Sequence, residues 1–210
     1  NGDWYPWSAV MGRNSPSDFV RMWKRVKDIV DARGIGSTRV QWVWAVNHDD
    51  VGGFRAEQYF PGDDSVDWVG IDGFNWGESQ SWSFWRSPSA SYDAILGRLR
   101  TLTTKPVGVV ELATSSSTSS GDSVAAKSQW ITDFFKYVIA KDIRMVGWFN
   151  EDKETDWAVL GGGNGDDVYR EGEVTYNVYS TYRRAVGGSD FVASNPKNAR
   201  LLTDEQFAGR

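Results

Sequence analysis

The chain has 210 residues, 40% of them hydrophobic and 24% charged, which excludes a disordered polymer and gives room for one sizeable domain. With 23 Lys and Arg against 28 Asp and Glu the formal net charge is −5, so there is no general cationic field for a phosphate backbone and nucleic acid is excluded as an expected partner. No run approaches the ~18–20 consecutive apolar residues of a membrane span, no basic and then apolar leader opens the chain, and the lack of Cys excludes disulfides and Cys-ligated metals. The unusual figure is 12 Trp within 14% aromatic residues. The opening Asn1-Gly2-Asp3-Trp4 runs straight into an aromatic cluster without Met or a polar lead-in, so the chain reads either as cut there or as a fragment.

Ser15-Pro16-Ser17-Asp18 predicts a helix start, with Ser15 as N-cap and Pro16 at the first helical position. Phe19, Met22, Trp23, Val26, Ile29 and Val30 then fall at helical spacing up to Arg33-Gly34. Thr38 to Asn47 is rich in β-branched and aromatic residues and predicts a buried strand. A short helical piece near Phe54 to Tyr59 leads to a second strand, Val66 to Asn75, whose Gly70 and Gly73 point to a close neighbour or a bend. Beyond the loop Trp76 to Pro88, Ser89 to Leu102 predicts a helix with one apolar face, and Val107 to Leu112 a third strand.

The serine-rich segment Thr114 to Ser120 reads as a flexible loop, followed by a helix over Asp122 to Ala140. Ile143 to Asn150 predicts a fourth strand, Glu151 to Glu171 a Gly-rich loop, and Val174 to Val186 a last helix. Residues 1–187 then form one domain and 188–210 a polar tail or linker. Four strands separated by helices are consecutive βα units of a parallel α/β sheet. The glycine fingerprint of a dinucleotide-binding sheet is missing, which favours a (β/α)8 TIM barrel. A whole barrel has eight strands, so four amount to its half.

In such a barrel the chemistry sits at the C-terminal strand ends. Those ends carry Asn47-His48-Asp49-Asp50, Asp72-Gly73-Phe74-Asn75-Trp76, Glu111 and Trp148-Phe149-Asn150-Glu151-Asp152. Glu111 is the leading candidate, because it ends the apolar run VGVVEL, where an ionised carboxylate is costly without a partner or a purpose. The competing reading is an ion pair at the rim. Indoles beside carboxylates suit a sugar polymer, since a pyranose stacks on the ring while its hydroxyls bond to Asp, Glu and Asn. Trp4, Trp7, Trp76, Trp82, Trp85, Trp148 and Trp157 fall at strand ends or in loops, whereas Trp23, Trp42, Trp44, Trp68 and Trp130 read as core.

Other signals are weaker. His48 is the lone His and no G-x-S-x-G elbow occurs, which argues against a Ser-His-Asp site and leaves a polar contact at the rim. Neither Asp63-Asp64 nor Gly161 to Asp167 has calcium-loop spacing, so no metal and no cofactor are expected. The pairs Asp49-Asp50 and Asp152/Glu154 read as solvated loop charges.

Five strings, in order and suitably spaced, resemble the C-terminal half of glycoside hydrolase family 26: NGDWYPW at the start, WVWAVN at 42–47, PGDDSVDWVGIDGFNWG at 61–77, KPVGVVE at 105–111 and WFNEDKETDW at 148–157. The resemblance implies strands five to eight of a (β/α)8 barrel and a β-linked polysaccharide as substrate. It implies an endo-β-1,4-mannanase, with a mixed-linkage β-1,3-1,4-glucanase or a non-catalytic carbohydrate-binding fragment as alternatives. It further implies a retaining double displacement between two carboxylates about 5–5.5 Å apart.

By the same resemblance Glu111 is the nucleophile. The acid/base is the Glu of a His-Glu-x-Asn-Gly motif of which this chain holds Asn1-Gly2, so its expected place is two residues before Asn1 and this chain alone is expected to hydrolyse weakly. Trp4 corresponds to a cleft aromatic, Asp72 to an acid beside the site, and Trp148 to a sugar platform, with Trp76 next to them. Phe74 stands where many members have a Tyr, so the hydroxyl that would bond the nucleophile is missing and its support is expected to come from elsewhere. The missing half-barrel, or a second copy of this chain, is then the expected protein partner. The substrate class places the protein outside the cell.

Overall fold

A computed structural model describes residues 1–193, 197 and 202–209. The first helix, α1 (Pro16–Asp31), forms where its cap predicts: Ser15 Oγ accepts from Asp18 N at 3.2 Å and the Asp18 carboxylate accepts from Ser15 N at 2.8 Å. Only part of its apolar stripe is covered. Phe19 meets the edge of Tyr59 at 5.8 Å, and Trp23 meets Trp42 at 5.7 Å and donates Nε1 to Ser65 O at 2.9 Å. Met22, Val26 and Ile29, on the same stripe, are exposed.

The main sheet has four strands in the order β1 (Val43–Asn47), β2 (Trp68–Asp72), β3 (Val107–Leu112), β6 (Met145–Trp148). β1 and β2 run parallel, from Val43 opposite Trp68 to Asn47 opposite Asp72. The fold is α/β with a parallel sheet, and among the described residues the sheet does not close into a barrel. β1 starts later than its composition predicts, because Arg39 N and Val40 N turn back to Gly36 O at 3.0 and 3.2 Å and Trp42 N is taken by Asp67 Oδ2 at 2.8 Å. Trp44 and Val46 are buried while Ala45 between them is exposed, the alternation of a one-sided strand. Gly70 has the close neighbours its position suggests: a Cβ there would lie 2.9 Å from Val110 Cγ1 and 3.1 Å from Ala45 Cβ.

The chain divides into two compact units. The first holds residues 1–72, 93–110 and the described residues after 201. Its interior centres on Trp44, which packs on Phe60 at 5.0 Å, and on Arg98 of helix α2 (Pro88–Leu102). Arg98 Nε donates to Glu57 Oε1 at 2.7 Å, its Nη2 to Glu57 Oε2 at 2.5 Å, and its Nη1 lies 2.8 Å from Asp50 Oδ2. Asp50 is therefore no solvated loop charge, since its Oδ1 also accepts from Ala56 N at 2.8 Å. In the stretch read as a polar tail, 194–196, 198–201 and 210 lie outside the described residues. Within the rest of it a short helix, α5 (Asp204–Phe207), ends where Phe207 O accepts Trp68 Nε1 at 3.2 Å.

The second unit holds residues 73–92 and 111–201. Helix α3 (Val124–Ala140) starts at Ser123, whose Oγ accepts from Ala126 N at 3.1 Å. Its buried Trp130 and Phe134 stack at 5.3 Å, and Phe134 meets Tyr92 at 5.9 Å. Two expectations are corrected here. The serine-rich segment is no flexible loop: Thr114, Ser115 and Ser116 are fully buried, and β4 (Ser117–Thr118) pairs antiparallel with β5 (Gly121–Asp122). Residues Val174 to Val178 are not helical either. They form β8 (Val174–Val178), an antiparallel hairpin with β7 (Asp167–Glu171) turned at Gly172, and only Ser180–Val186 is helix α4. The alternation of Val174, Thr175, Tyr176 and Val178 suits a strand, and Gly172 takes the positive φ of 60° that the turn requires.

Candidate active site

In the first unit the amide of Asn1 pairs with the backbone at the end of β1. Its Nδ2 donates to Asn47 O at 3.0 Å and its Oδ1 accepts from Asn47 N at 2.9 Å. This fixes the opening segment beside the strand end. A pocket of about 470 Å³ opens there, and its wall includes Trp4, Tyr5, Trp7, Trp44, Asn47 and Asp72. Two of the residues expected to bind substrate, Trp4 and Asp72, therefore share one cavity, although they are 68 positions apart in the chain. Tyr5 and Trp7 stack at 4.6 Å beside it; Trp7 is one of the loop indoles named from the sequence, Tyr5 is not. His48 makes a polar contact at the rim, its Nε2 being 3.5 Å from Asp49 Oδ2.

In the second unit Glu111 stands near the C-terminal end of β3 with an exposed side chain. The rim ion pair is not found: among the described residues no donor reaches its carboxylate. A shift of register accounts for the exposure. Val69 N donates to Pro106 O, and four residues further on Gly73 N donates to Glu111 O, five residues along β3. The extra residue breaks the alternation of the strand, so Glu111 leaves the buried row of Val107 and Val109 while Leu112 is fully buried again. Such slips are a known way of re-aiming a side chain.

Phe74 follows Gly73 and meets Trp157 at 5.2 Å, Phe149 at 5.9 Å and Trp76 at 6.3 Å. Trp76 meets Trp157 edge-on at 4.7 Å. Thus Glu111, Phe74 and Trp76 are carried on neighbouring backbone segments, linked again by Asn75 N to Ala113 O at 3.0 Å. Trp157 itself is 1% exposed and serves as the buried support of this cluster rather than as a loop platform. Trp148 turns the other way: its ring lies 6.5 Å from Trp130 and 5.4 Å from Tyr182, and its Nε1 donates to Trp157 O at 3.0 Å. Phe149, its neighbour in the chain, is the one that joins the Phe74 cluster.

The loop behind the cluster is held by polar groups. Asn150 Oδ1 accepts from Val159 N and Leu160 N, and Asp152 accepts from Ala158 N and Gly163 N, so Asp152 is bonded as well as exposed. Below it Lys127, fully buried, donates to the backbone oxygens of Asp156 and Ala158. Desolvation lowers the Lys127 pKa to about 8, against the pull of Asp156 and Asp152. Burial, then the same two carboxylates, push the Tyr179 hydroxyl well above its ordinary value. Among the described residues no three His, Asp or Glu side chains gather as a metal ion would need. No helix among them is long and apolar enough to cross a membrane.

Residues 1–98 match the description Glycosyl hydrolase family 26. That stretch resembles family 26. Endoglucanase H of Acetivibrio thermocellus is 34% identical over 177 residues, covering 81% of this chain and 19% of that protein. Among solved structures, the catalytic domain of a Bacillus sp. JAMB-750 family 26 endo-β-1,4-mannanase superposes with a TM-score of 0.56 at 17% identity, over 92% of this chain and 48% of the other. An endo-β-1,3-glucanase of Sorangium cellulosum, family 128, follows with 0.51 at 18% identity, over 74% and 60%. The chain thus spans about a fifth of Endoglucanase H and about half of the mannanase domain. The matched stretch carries Trp4, Asp72, Phe74 and Trp76, while Glu111 and Trp148 lie beyond it.

Proposed function

We propose that this chain is the nucleophile-bearing part of a retaining endo-β-glycanase acting on β-1,4-mannan, with Glu111 as the nucleophile. The observation that carries it is the exposed Glu111 carboxylate at a parallel-strand end, moved out of the buried row by the slip against Gly73 and flanked by the Phe74 and Trp76 segment. Strand ends of that kind are where (β/α)8 enzymes place their chemistry. In this reading the four strands are the fifth to eighth of a barrel. The resemblance to family 26 at residues 1–98 and the superposition on the Bacillus mannanase domain support it.

In the first step a Glu111 oxygen attacks the anomeric carbon, the glycosidic bond breaks, and the leaving oxygen takes a proton from a second carboxylic acid supplied by the rest of the parent protein. That carboxylate then removes a proton from water, which attacks the same carbon and releases Glu111, so configuration is retained. Around Glu111 in the second unit Trp76 offers a ring face and Phe74 closes the apolar side, while in the pocket of the first unit Trp4 offers a ring face and Asp72 bonds sugar hydroxyls. No cofactor enters. The polymeric substrate places the parent protein outside the cell.

The test is to treat the parent protein with a 2-deoxy-2-fluoro glycoside, which lets the glycosyl-enzyme accumulate, and to digest it. The expected result is a mass increase on the peptide containing Glu111, with Glu111→Gln in the parent lowering kcat on mannan by about 10³-fold or more. Full activity of Glu111→Gln would overturn the assignment. A second reading, mixed-linkage β-glucan as substrate, draws on the likeness to a protein named as an endoglucanase, a name that gives no linkage. Reducing-sugar release from mannan and from β-1,3-1,4-glucan, measured side by side, decides between them.

A further inference from the structure

The segment from Trp76 to Ser87, which follows the Phe74 cluster, is held by hydrogen bonds yet presents one of its three Trp side chains, Trp82, to solvent. Asn75 is fully buried, and its Oδ1 accepts from Gly77 N at 3.3 Å and Arg86 N at 2.9 Å while its Nδ2 donates to Thr114 Oγ1 at 2.9 Å. Ser83 Oγ donates to Gly77 O at 2.7 Å, and Trp130 Nε1 reaches Arg86 O at 2.7 Å. At Gly77, with φ of 55°, a Cβ would lie 2.1 Å from Ser117 O, so the loop is pressed against the β4–β5 hairpin. On this fixed loop Trp82 is 66% exposed and touches Trp76 at 5.2 Å with the rings tilted by 60°. The exposed Phe84 stands two residues on, with the Arg86 guanidinium 4.8 Å from its ring.

An indole left in water forgoes the burial that makes Trp favourable in a core, and a loop pinned at both ends pre-sets where that ring stands. Rigid, exposed aromatic rings beside a site are suited to stacking on the apolar face of a sugar. We infer that Trp82 is a stacking subsite for a pyranose unit of the β-linked polysaccharide, lying next along the row from Trp157 through Trp76. The inference rests on the function proposed above for the same site, and it names Trp82 as the ring that grips the chain away from the cleavage point. Its effect is on long polymer rather than on the chemical step.

Electrophoresis of the 210-residue chain through native gels cast with mannan or with mixed-linkage β-glucan tests it. The expected result is retardation of the wild type, about tenfold weaker apparent affinity for Trp82→Ala, and recovery of most of the retardation in Trp82→Phe, with circular dichroism unchanged in both variants. Equal retardation of wild type and Trp82→Ala, or no retardation of the wild type by either polymer, would overturn the subsite. Failure of the catalytic reading is read elsewhere, by hydrolysis in Glu111→Gln of the parent, which should keep its retardation.

Discussion

Lys127 Nζ sits 4.8 Å from the centroid of the Tyr179 ring and donates to Ala158 O at 3.0 Å, beneath the loop that carries Trp157. The lysine is fully buried, and its carboxylate partner Asp156 is 3.5 Å away. Removing the cation leaves Asp156 without its nearest positive charge and two carbonyls without a donor. Lys127→Met is expected to lower stability by about 3 kcal/mol, as for breaking a buried pair. Urea unfolding measures it, and a cost below about 1 kcal/mol would mean that the loop is held without this residue.

The same lysine sets a pH dependence. Its folded pKa of about 8 lies below the ordinary value of 10.5, so between those two the unfolded chain holds a proton that the folded chain has lost. Stability from this group therefore rises as pH increases through that window, and below about 8 the full burial cost is present. The wild type should gain on Lys127→Met between pH 7 and pH 9.5 in matched urea titrations. Parallel curves would refute it.

Glu57 behaves in the opposite sense. Its bidentate bond to Arg98 holds its pKa at about 2, below the ordinary 4.5. The stabilisation is present above about 4.5 and is lost as pH falls toward 2. The stability difference between wild type and Glu57→Gln should accordingly shrink from pH 5 to pH 2.5. Arg98→Met, which takes the guanidinium away from both Glu57 and Asp50, should cost about 2 kcal/mol at neutral pH, read from thermal midpoints.

Gly70 leaves no room for a methyl group. An added Cβ would stand 2.9 and 3.0 Å from the two γ-carbons of Val110, a branched side chain held close to its backbone. Gly70→Ala is expected to destabilise the chain by about 1–3 kcal/mol through overpacking, whereas Gly97→Ala, with open space around it on α2, should be neutral or stabilising. Chemical denaturation of the two variants gives the comparison.

Tyr92, buried in the second unit, donates its hydroxyl to Gly73 O at 2.7 Å. Gly73 is also the residue whose N–H meets Glu111 O. Tyr92→Phe should cost about 1–2 kcal/mol for the carbonyl left without this bond. Hydrogen exchange at Gly73 and Asn75 should quicken more than exchange in α3. Uniform acceleration would place the effect in the core at large.

Much of this was legible in the residues taken in order. Ser15 with Asp18 marked the start of α1, the run from Val107 to Leu112 marked β3 to the residue, and the five family 26 strings preceded any geometry. The two misreadings have different causes. Serine and threonine at 114–116 read as loop because their hydroxyls favour local turns, yet here partners 40 or so residues away, Thr155 and Asp156, bond Ser115 and Ser116 and let them be buried. The β7–β8 hairpin read as loop and helix because periodicity over five residues is too short to separate the two.

The sequence by itself determined the order of helices and strands, the presence of a lone carboxylate in the last two residues of β3, and the supply of indoles to strand ends, since these depend on periodicity, caps and residue type. The tertiary structure alone decided which indoles are presented. Trp157 is buried because Asn150, Asp152 and Lys127 tie its loop down, while Trp82 stays 66% exposed on a loop that Asn75 and Ser83 fix, its ring touching Trp76. It alone also decided that Glu111 is exposed. A one-residue slip in pairing is set by hydrogen bonds between segments 38 residues apart in the chain, Gly73 and Glu111, and no local pattern encodes it.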